Sequence, residues 1–173
     1  PLRSMGATIL GRQDGNLPPL AVAGGVLRGL HHKLEKASAQ VKSSLLLAGL
    51  YANEPVVIEE PVPTRDHTER MLALFGQPLK TAGAVIRLEE KHPPRGCEVW
   101  IPGDISGAAF FLAAALIVPG SEIVVRDVGV NPTRIGFIDA VRQMGGSLKV
   151  ENIRERSGDP LADIRAAPAF PGS

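Results

Sequence analysis

The sequence predicts an α/β fold made from a repeated unit, and three observations predict it. A bulky residue followed by glycine closes a helical pattern at Met5-Gly6, Phe75-Gly76 and Met144-Gly145, at nearly equal intervals along the chain. Two apolar helix-forming runs, SAQVKSSLLLAGL (38–50) and GDISGAAFFLAAAL (103–116), stand ahead of the second and third marks. Short β-branched stretches lie between the runs and the glycines, as strands require. Similarity at a fixed period means that one supersecondary unit is used more than once.

Taken in order, Pro1 to Gly6 reads as the end of a helix already under way, so a truncated start is expected. Each marking glycine suits a left-handed helix C-cap, and each is followed by an alternating stretch such as Ala7-Thr8-Ile9-Leu10 or Ser147-Leu148-Lys149-Val150. Residues 26–34 alternate as a strand and lead to Ser38, a good N-cap for the first apolar run. That run and its counterpart at 103–116 are apolar nearly all round, the pattern of buried helices. Pro55-Val56-Val57-Ile58 and Glu122-Ile123-Val124-Val125-Arg126 are the intervening strands. Thr64-Arg65 and Thr133-Arg134 recur in step with the glycines, each opening the helix that the next glycine closes; Pro132 suits the second start. Asp66 followed three residues later by Glu69 forms a capping pattern ahead of the apolar face of Met71, Leu72 and Phe75. Ile135, Ile138 and Val141 form the corresponding face in the next repeat. The unit therefore reads helix, strand, helix, strand, strand. The loop Lys91-His92-Pro93-Pro94-Arg95-Gly96, strand-like Glu98-Val99-Trp100-Ile101 and the sharp Pro102-Gly103 place a division at 102. Residues 1–101 are expected to be the later part of one domain and 102–173 the beginning of a second. Loop-rich segments at 155–160 and 168–173 suggest a chain that stops at the edge of a further strand.

Composition narrows the function. Of 173 residues, 44% are hydrophobic, enough for a core. A formal net charge of +1 supplies no field toward nucleic acid or an anionic membrane, so any anion must be held by local geometry. Aromatics at 4% exclude the stacking pattern of a nucleic-acid binder. The one cysteine, Cys97, suits a reducing compartment, and the cytoplasm is the expected location. The apolar run at 108–118 is too short to span a bilayer. His31 and His32 face opposite sides of a strand, no ligand-spaced Cys or His cluster exists, and no metal is expected. No GxxxxGK[ST] or strand-following GxGxxG supports a nucleotide.

The candidate chemistry is anion binding. Ser38, Ala39 and Gln40 stand at a helix mouth whose first amides lack intrahelical acceptors, which suits phosphate or carboxylate. The plainer reading is a cap with a solvated Gln40, and both stand at this point. Lys42, in the same first turn, is unfavourably placed for the helix dipole unless an anion or an acidic neighbour compensates. Arg65 can fork onto a phosphate or carboxylate, or pair with Glu59 or Glu60. Arg134 invites the same two readings, and Asp104 reads as an N-cap.

The strings SAQVKSSLLLAGL (38–50), TRDHTERML (64–72), PGDISGAAFFLAAALIVPGS (102–121) and NPTR (131–134), in this order and spacing, resemble successive signature segments of bacterial EPSP synthases. PLRSMGA, NLPPLAVAGG and DPLADI resemble the flanking segments, so the similarity covers essentially the whole chain. The resemblance implies an inside-out α/β barrel: two domains, each of three βαβαββ units, in chains more than twice this length, with a monomeric parent. It implies transfer of the enolpyruvyl group of phosphoenolpyruvate to the 5-hydroxyl of shikimate 3-phosphate, with no cofactor. It implies that Ser38, Ala39 and Arg65 lie at the shikimate 3-phosphate site and Gln40 between both substrates. The family's proton-transfer residues and phosphoenolpyruvate-binding arginines have no counterpart here, so no catalytic residue and no turnover are expected of this stretch alone. Gly107, where a serine is usual, and Glu35-Lys36, ahead of Ser38, depart from the pattern. The competing assignments are the sister transferase acting on UDP-N-acetylglucosamine, against which TRDHTERML and SAQVKS argue, and a non-catalytic anion-binding fragment.

Overall fold

A computed structural model describes residues 1–168, and the chain divides into two compact units, Pro1–Gly96 and Cys97–Ser173. The closing residues 169–173, part of the expected terminal loop, lie outside the described residues.

The first unit opens with a turn and a small antiparallel ribbon. Strands β1 (Thr8–Gly11) and β2 (Leu17–Ala23) pair through the single turn α1 (Arg12–Gly15), in which Gln13 and Asp14 take positive φ. Arg3 holds this turn, with Nη2 donating to the carbonyls of Ile9 at 2.7 Å and Asp14 at 2.6 Å. One whole repeat follows: β3 (Leu30–Lys33), α2 (Ala39–Gly49), β4 (Val56–Glu59), α3 (His67–Leu74), β5 (Lys80–Ala82) and β6 (Val85–Leu88). The sheet order is β3-β4-β6-β5, with β3 parallel to β4 and the remaining pairs antiparallel. Leu45 and Leu46 of α2 and Leu72 of α3 bury their side chains against Val56, Ile58, Ile86 and Leu88 on one face of this sheet.

The second unit repeats the plan. Helix α4 (Ile105–Ile117), strand β7 (Ile123–Gly129), helix α5 (Gly136–Gln143) and strands β8 (Ser147–Arg156) and β9 (Asp159–Ala167) form a sheet of order β7-β9-β8. The strand leading into α4 is reduced to one parallel bridge, Gly103 with Val128, at the place that β3 occupies beside β4. Leu112, Ile138, Leu148 and Ile164 are central to the core. Both outer strands bulge opposite β9, between Val125 and Val128 and between Glu151 and Arg154. Asp127 and Asn152 take positive φ there (55° and 52°), and the Asp163 carboxylate accepts from the Asp127 amide and Asn152 Nδ2, both at 3.0 Å.

The repeat marks are structural. Gly6, Gly76 and Gly145 have φ of 105°, 85° and 82°, a region that only glycine enters without strain. The next amide in each case bonds the carbonyl five residues back: Ala7 to Leu2 at 3.1 Å, Gln77 to Leu72 at 2.8 Å, and Gly146 to Val141 at 2.9 Å. This is the Schellman closure, used three times.

Four expectations are corrected. Helix α3 begins at His67 and α5 at Gly136, two to three residues after the Thr-Arg pairs, which lie in the preceding loops. Asp66 makes no side-chain cap, since its Oδ2 is turned to Arg70 Nε, from which it accepts at 2.8 Å, and Glu69 is drawn inward as described below. Residues 98–101 form no strand, since no neighbouring strand edge accepts them; the Trp100 amide donates to Ser157 Oγ at 2.8 Å instead. Helix α4 is not buried all round, because the sheet packs against one face only and leaves Phe110, Phe111 and Ile117 well exposed.

Candidate anion-binding site

The first turn of α2 carries the predicted group. Ser38 takes extended backbone angles (φ −147°, ψ 103°), and its Oγ accepts from the Val41 amide at 3.3 Å. The helix proper starts at Ala39, and its first intrahelical bond runs from the Lys42 amide to the Ser38 carbonyl at 3.0 Å. The amides of Ala39 and Gln40 therefore precede the helical ladder and, among the described residues, have no acceptor. Gln40 is exposed. No acidic residue stands in this first turn, so its partial positive charge is not offset from within.

Lys42 is not a solvated cation. It is 1% exposed, and its Nζ lies 2.6 Å from Glu69 Oε1 and 3.2 Å from Glu60 Oε2. The acidic neighbours that its position demands come from the residue after β4 and the first turn of α3. Glu60 also accepts from the hydroxyl and, at 3.4 Å, the amide of Thr64. Ser43 Oγ donates to the Ala39 carbonyl at 2.7 Å and lies 2.6 Å from Thr68 Oγ1. The segment 60–68 is thereby fastened to the first turns of α2, and Arg65 rides on it beside Thr64.

Arg65 is exposed, and among the described residues its guanidinium has no ion pair or hydrogen bond. It pairs with neither Glu59 nor Glu60: Glu60 is engaged by Lys42 and Thr64, and Glu59 Oε1 lies 2.7 Å from His31 Nε2. The second unit shows the alternative. Arg134, which repeats Arg65, donates to Asp104 Oδ1 at 3.0 Å and to Ser106 Oγ at 2.8 Å. Asp104 caps α4 by accepting from the amides of Ser106 at 3.1 Å and Gly107 at 3.3 Å. The Ser106 amide above all, then the Gly107 amide and Arg134, hold its carboxyl below the usual range. At the α4 mouth a carboxylate of the chain itself occupies the place of an anion; at the α2 mouth the equivalent residue is the neutral Ser38.

Sequence reasoning named Ser38, Ala39, Gln40 and Arg65 but missed Glu60, Thr64 and Glu69 as the parts that hold their segments together. The signal for them was Lys42 itself, a cation in the first turn of an otherwise apolar helix. Its demand for a carboxylate is readable, but which of 18 acidic residues supplies it is not.

The repeated α/β unit, two helices packed on a small sheet and used again in the second half of the chain, defines the class of this protein. The chain belongs to the EPSP synthase (3-phosphoshikimate 1-carboxyvinyltransferase) family, whose model matches residues 1–168. It is 56% identical over 165 residues to the 3-phosphoshikimate 1-carboxyvinyltransferase of Desulforudis audaxviator and 54% identical over 164 to that of Syntrophotalea carbinolica. Each match covers 95% of this chain and 38% of the relative, so the chain spans well under half the length of these relatives. The EPSP synthase from Acinetobacter baumannii superposes with a TM-score of 0.84 at 47% identity, over 96% of this chain and 38% of that one.

Proposed function

We propose that this chain supplies the shikimate 3-phosphate half-site of an enolpyruvyl transferase, with Ser38, Ala39, Gln40 and Arg65 as its binding residues. The observation that carries the reading is the unneutralised α2 mouth, with two amides without acceptors, beside a fastened segment that carries Arg65 with its guanidinium unpaired among the described residues. A phosphate or carboxylate placed there gains charge-assisted bonds that no carboxylate of the chain already satisfies.

In the complete reaction the methylene carbon of phosphoenolpyruvate takes a proton, and the 5-hydroxyl oxygen of shikimate 3-phosphate bonds to the adjacent carbon while losing its own proton. The tetrahedral adduct then loses phosphate and a methyl proton, which restores the carbon–carbon double bond and yields the enol ether. Proton balance is complete without a cofactor. The contribution of this chain is positional: fixing the phosphorylated acid presents its hydroxyl to the second substrate, a gain that needs no acid or base group. Gln40 would lie between the two substrates. A cytoplasmic location and a monomeric parent belong to the same reading; among the described residues no helix is long and apolar enough to cross a membrane.

Heteronuclear NMR during titration with shikimate 3-phosphate tests the assignment. Saturable shifts at the amides of Ala39 and Gln40 and at the Arg65 guanidinium support it. Saturable shifts confined to other residues, or none, contradict it.

A further inference from the structure

We infer that Lys42 is the positioning residue of the α2 mouth, holding Thr64 and Arg65 in place through a buried two-carboxylate clasp. This deepens the anion-site reading above and rests on it for the ligand, though not for the geometry. Three separate segments of chain meet at the Lys42 ammonium: α2 itself, the loop after β4 through Glu60, and the first turn of α3 through Glu69. Glu60 spends its remaining capacity on Thr64, the residue before Arg65. The chain of contacts therefore runs Lys42, Glu60, Thr64, Arg65, and every link except the last side chain is buried or half-buried.

The arrangement is costly as a mere support. Lys42 and Glu60 have side chains 1% and 3% exposed, and Glu69 adds a second carboxylate whose Oε2 is buried with no hydrogen-bond partner among the described residues. A well-packed apolar side chain would join α2 to α3 at lower desolvation cost. What an apolar contact cannot do is fix a loop by direction. The ammonium sets both carboxylates, and Glu60 accepts from both the amide and the hydroxyl of Thr64, so the backbone at 64 has one orientation. Arg65, the next residue, is thereby held on a fixed backbone while its guanidinium stays uncommitted among the described residues. The second unit needs no such clasp, because Arg134 is held directly by Asp104.

The test uses the full chain with Lys42→Met and Thr64→Val, reading amide hydrogen exchange, melting temperature and affinity for shikimate 3-phosphate. Lys42→Met is expected to speed exchange at 64–68 about tenfold or more relative to the β6 amides, and to weaken binding by at least a similar factor. Thr64→Val keeps the buried charges and the shape but cuts the hydroxyl link. It is expected to lower the melting temperature far less than Lys42→Met does, while exchange at 64–66 rises relative to the β6 amides and affinity falls several-fold; this decides the matter if Lys42→Met does not fold. Wild-type exchange at 64–68 in Thr64→Val overturns the inference, as does its retention in a folded Lys42→Met. If the wild-type chain binds no shikimate 3-phosphate, the anion-site reading falls alone and the exchange data still decide the role of Lys42.

Discussion

Arg134 donates to Asp104 at 3.0 Å across the mouth of α4, and the residue that repeats Asp104 at the mouth of α2 is Ser38. One unit closes its arginine with a carboxylate of its own, whereas the other leaves the arginine unpaired. The cap position carries a carboxylate in one unit and a neutral hydroxyl in the other, and Ser106, which also accepts from Arg134, is matched by Gln40 in α2.

Ser38→Asp should close the α2 mouth. Aspartate caps a helix about as well as serine, so the melting temperature should hold or rise. Arg65 would gain an internal carboxylate, and shikimate 3-phosphate affinity should fall about tenfold or more. Calorimetry beside a thermal melt separates the two effects; undiminished affinity would show that the cap residue does not control the site.

Removing Lys42 should be far more costly than removing Glu69. Lys42→Met leaves two carboxylates in the interior with no cation and should destabilise the fold by about 3–5 kcal/mol. Glu69→Gln leaves the Lys42 and Glu60 pair intact, keeps an oxygen for the Lys42 ammonium and removes one of the two negative charges, so its cost should be clearly smaller. Urea unfolding of both variants measures the order, and equal costs would argue against the clasp.

The second unit should carry an acid-sensitive lock at Asp163. Its carboxyl is held at about 2, against an ordinary 3.8, first by Asn152, then by the Asp127 amide and Arg154. Because the folded value is the lower one, the unfolded chain binds the proton more readily. The stabilisation is fully present above about pH 4 and is lost as pH falls through about 2. Circular dichroism melts across this window should show a falling transition temperature in the wild type and a flatter profile in Asp163→Asn. Parallel profiles would deny Asp163 this role.

Much of this architecture was legible because its punctuation is local. A Schellman glycine needs only its own turn, and three such turns at nearly equal intervals, Gly6, Gly76 and Gly145, disclose the repeat without any knowledge of the sheet. Ser38 and Asp104 are legible for the same reason, since a cap is a contact across two or three residues. What stayed hidden depends on distant chain. Asp66 and Glu69 spell a capping pattern, but Lys42, far earlier in the sequence and on another helix, takes Glu69 for the interior and so undoes it. The all-apolar composition of α4 says nothing about how many neighbours it has, and only one of its faces meets the sheet. The proposed site residues could be named from the family strings and the helix start, whereas the clasp beneath them required the fold.

The central claim, that Arg65 and the α2 mouth hold the phosphorylated acid, is tested most directly by calorimetric titration of shikimate 3-phosphate into the wild-type chain and into Arg65→Ala. Shikimate and inorganic phosphate serve as controls. Saturable binding of the phosphorylated acid to the wild type is expected, with weaker binding of either control and a loss of about tenfold or more in Arg65→Ala with the fold intact. Equal affinity in wild type and variant, or binding indifferent to the phosphate group, would contradict it.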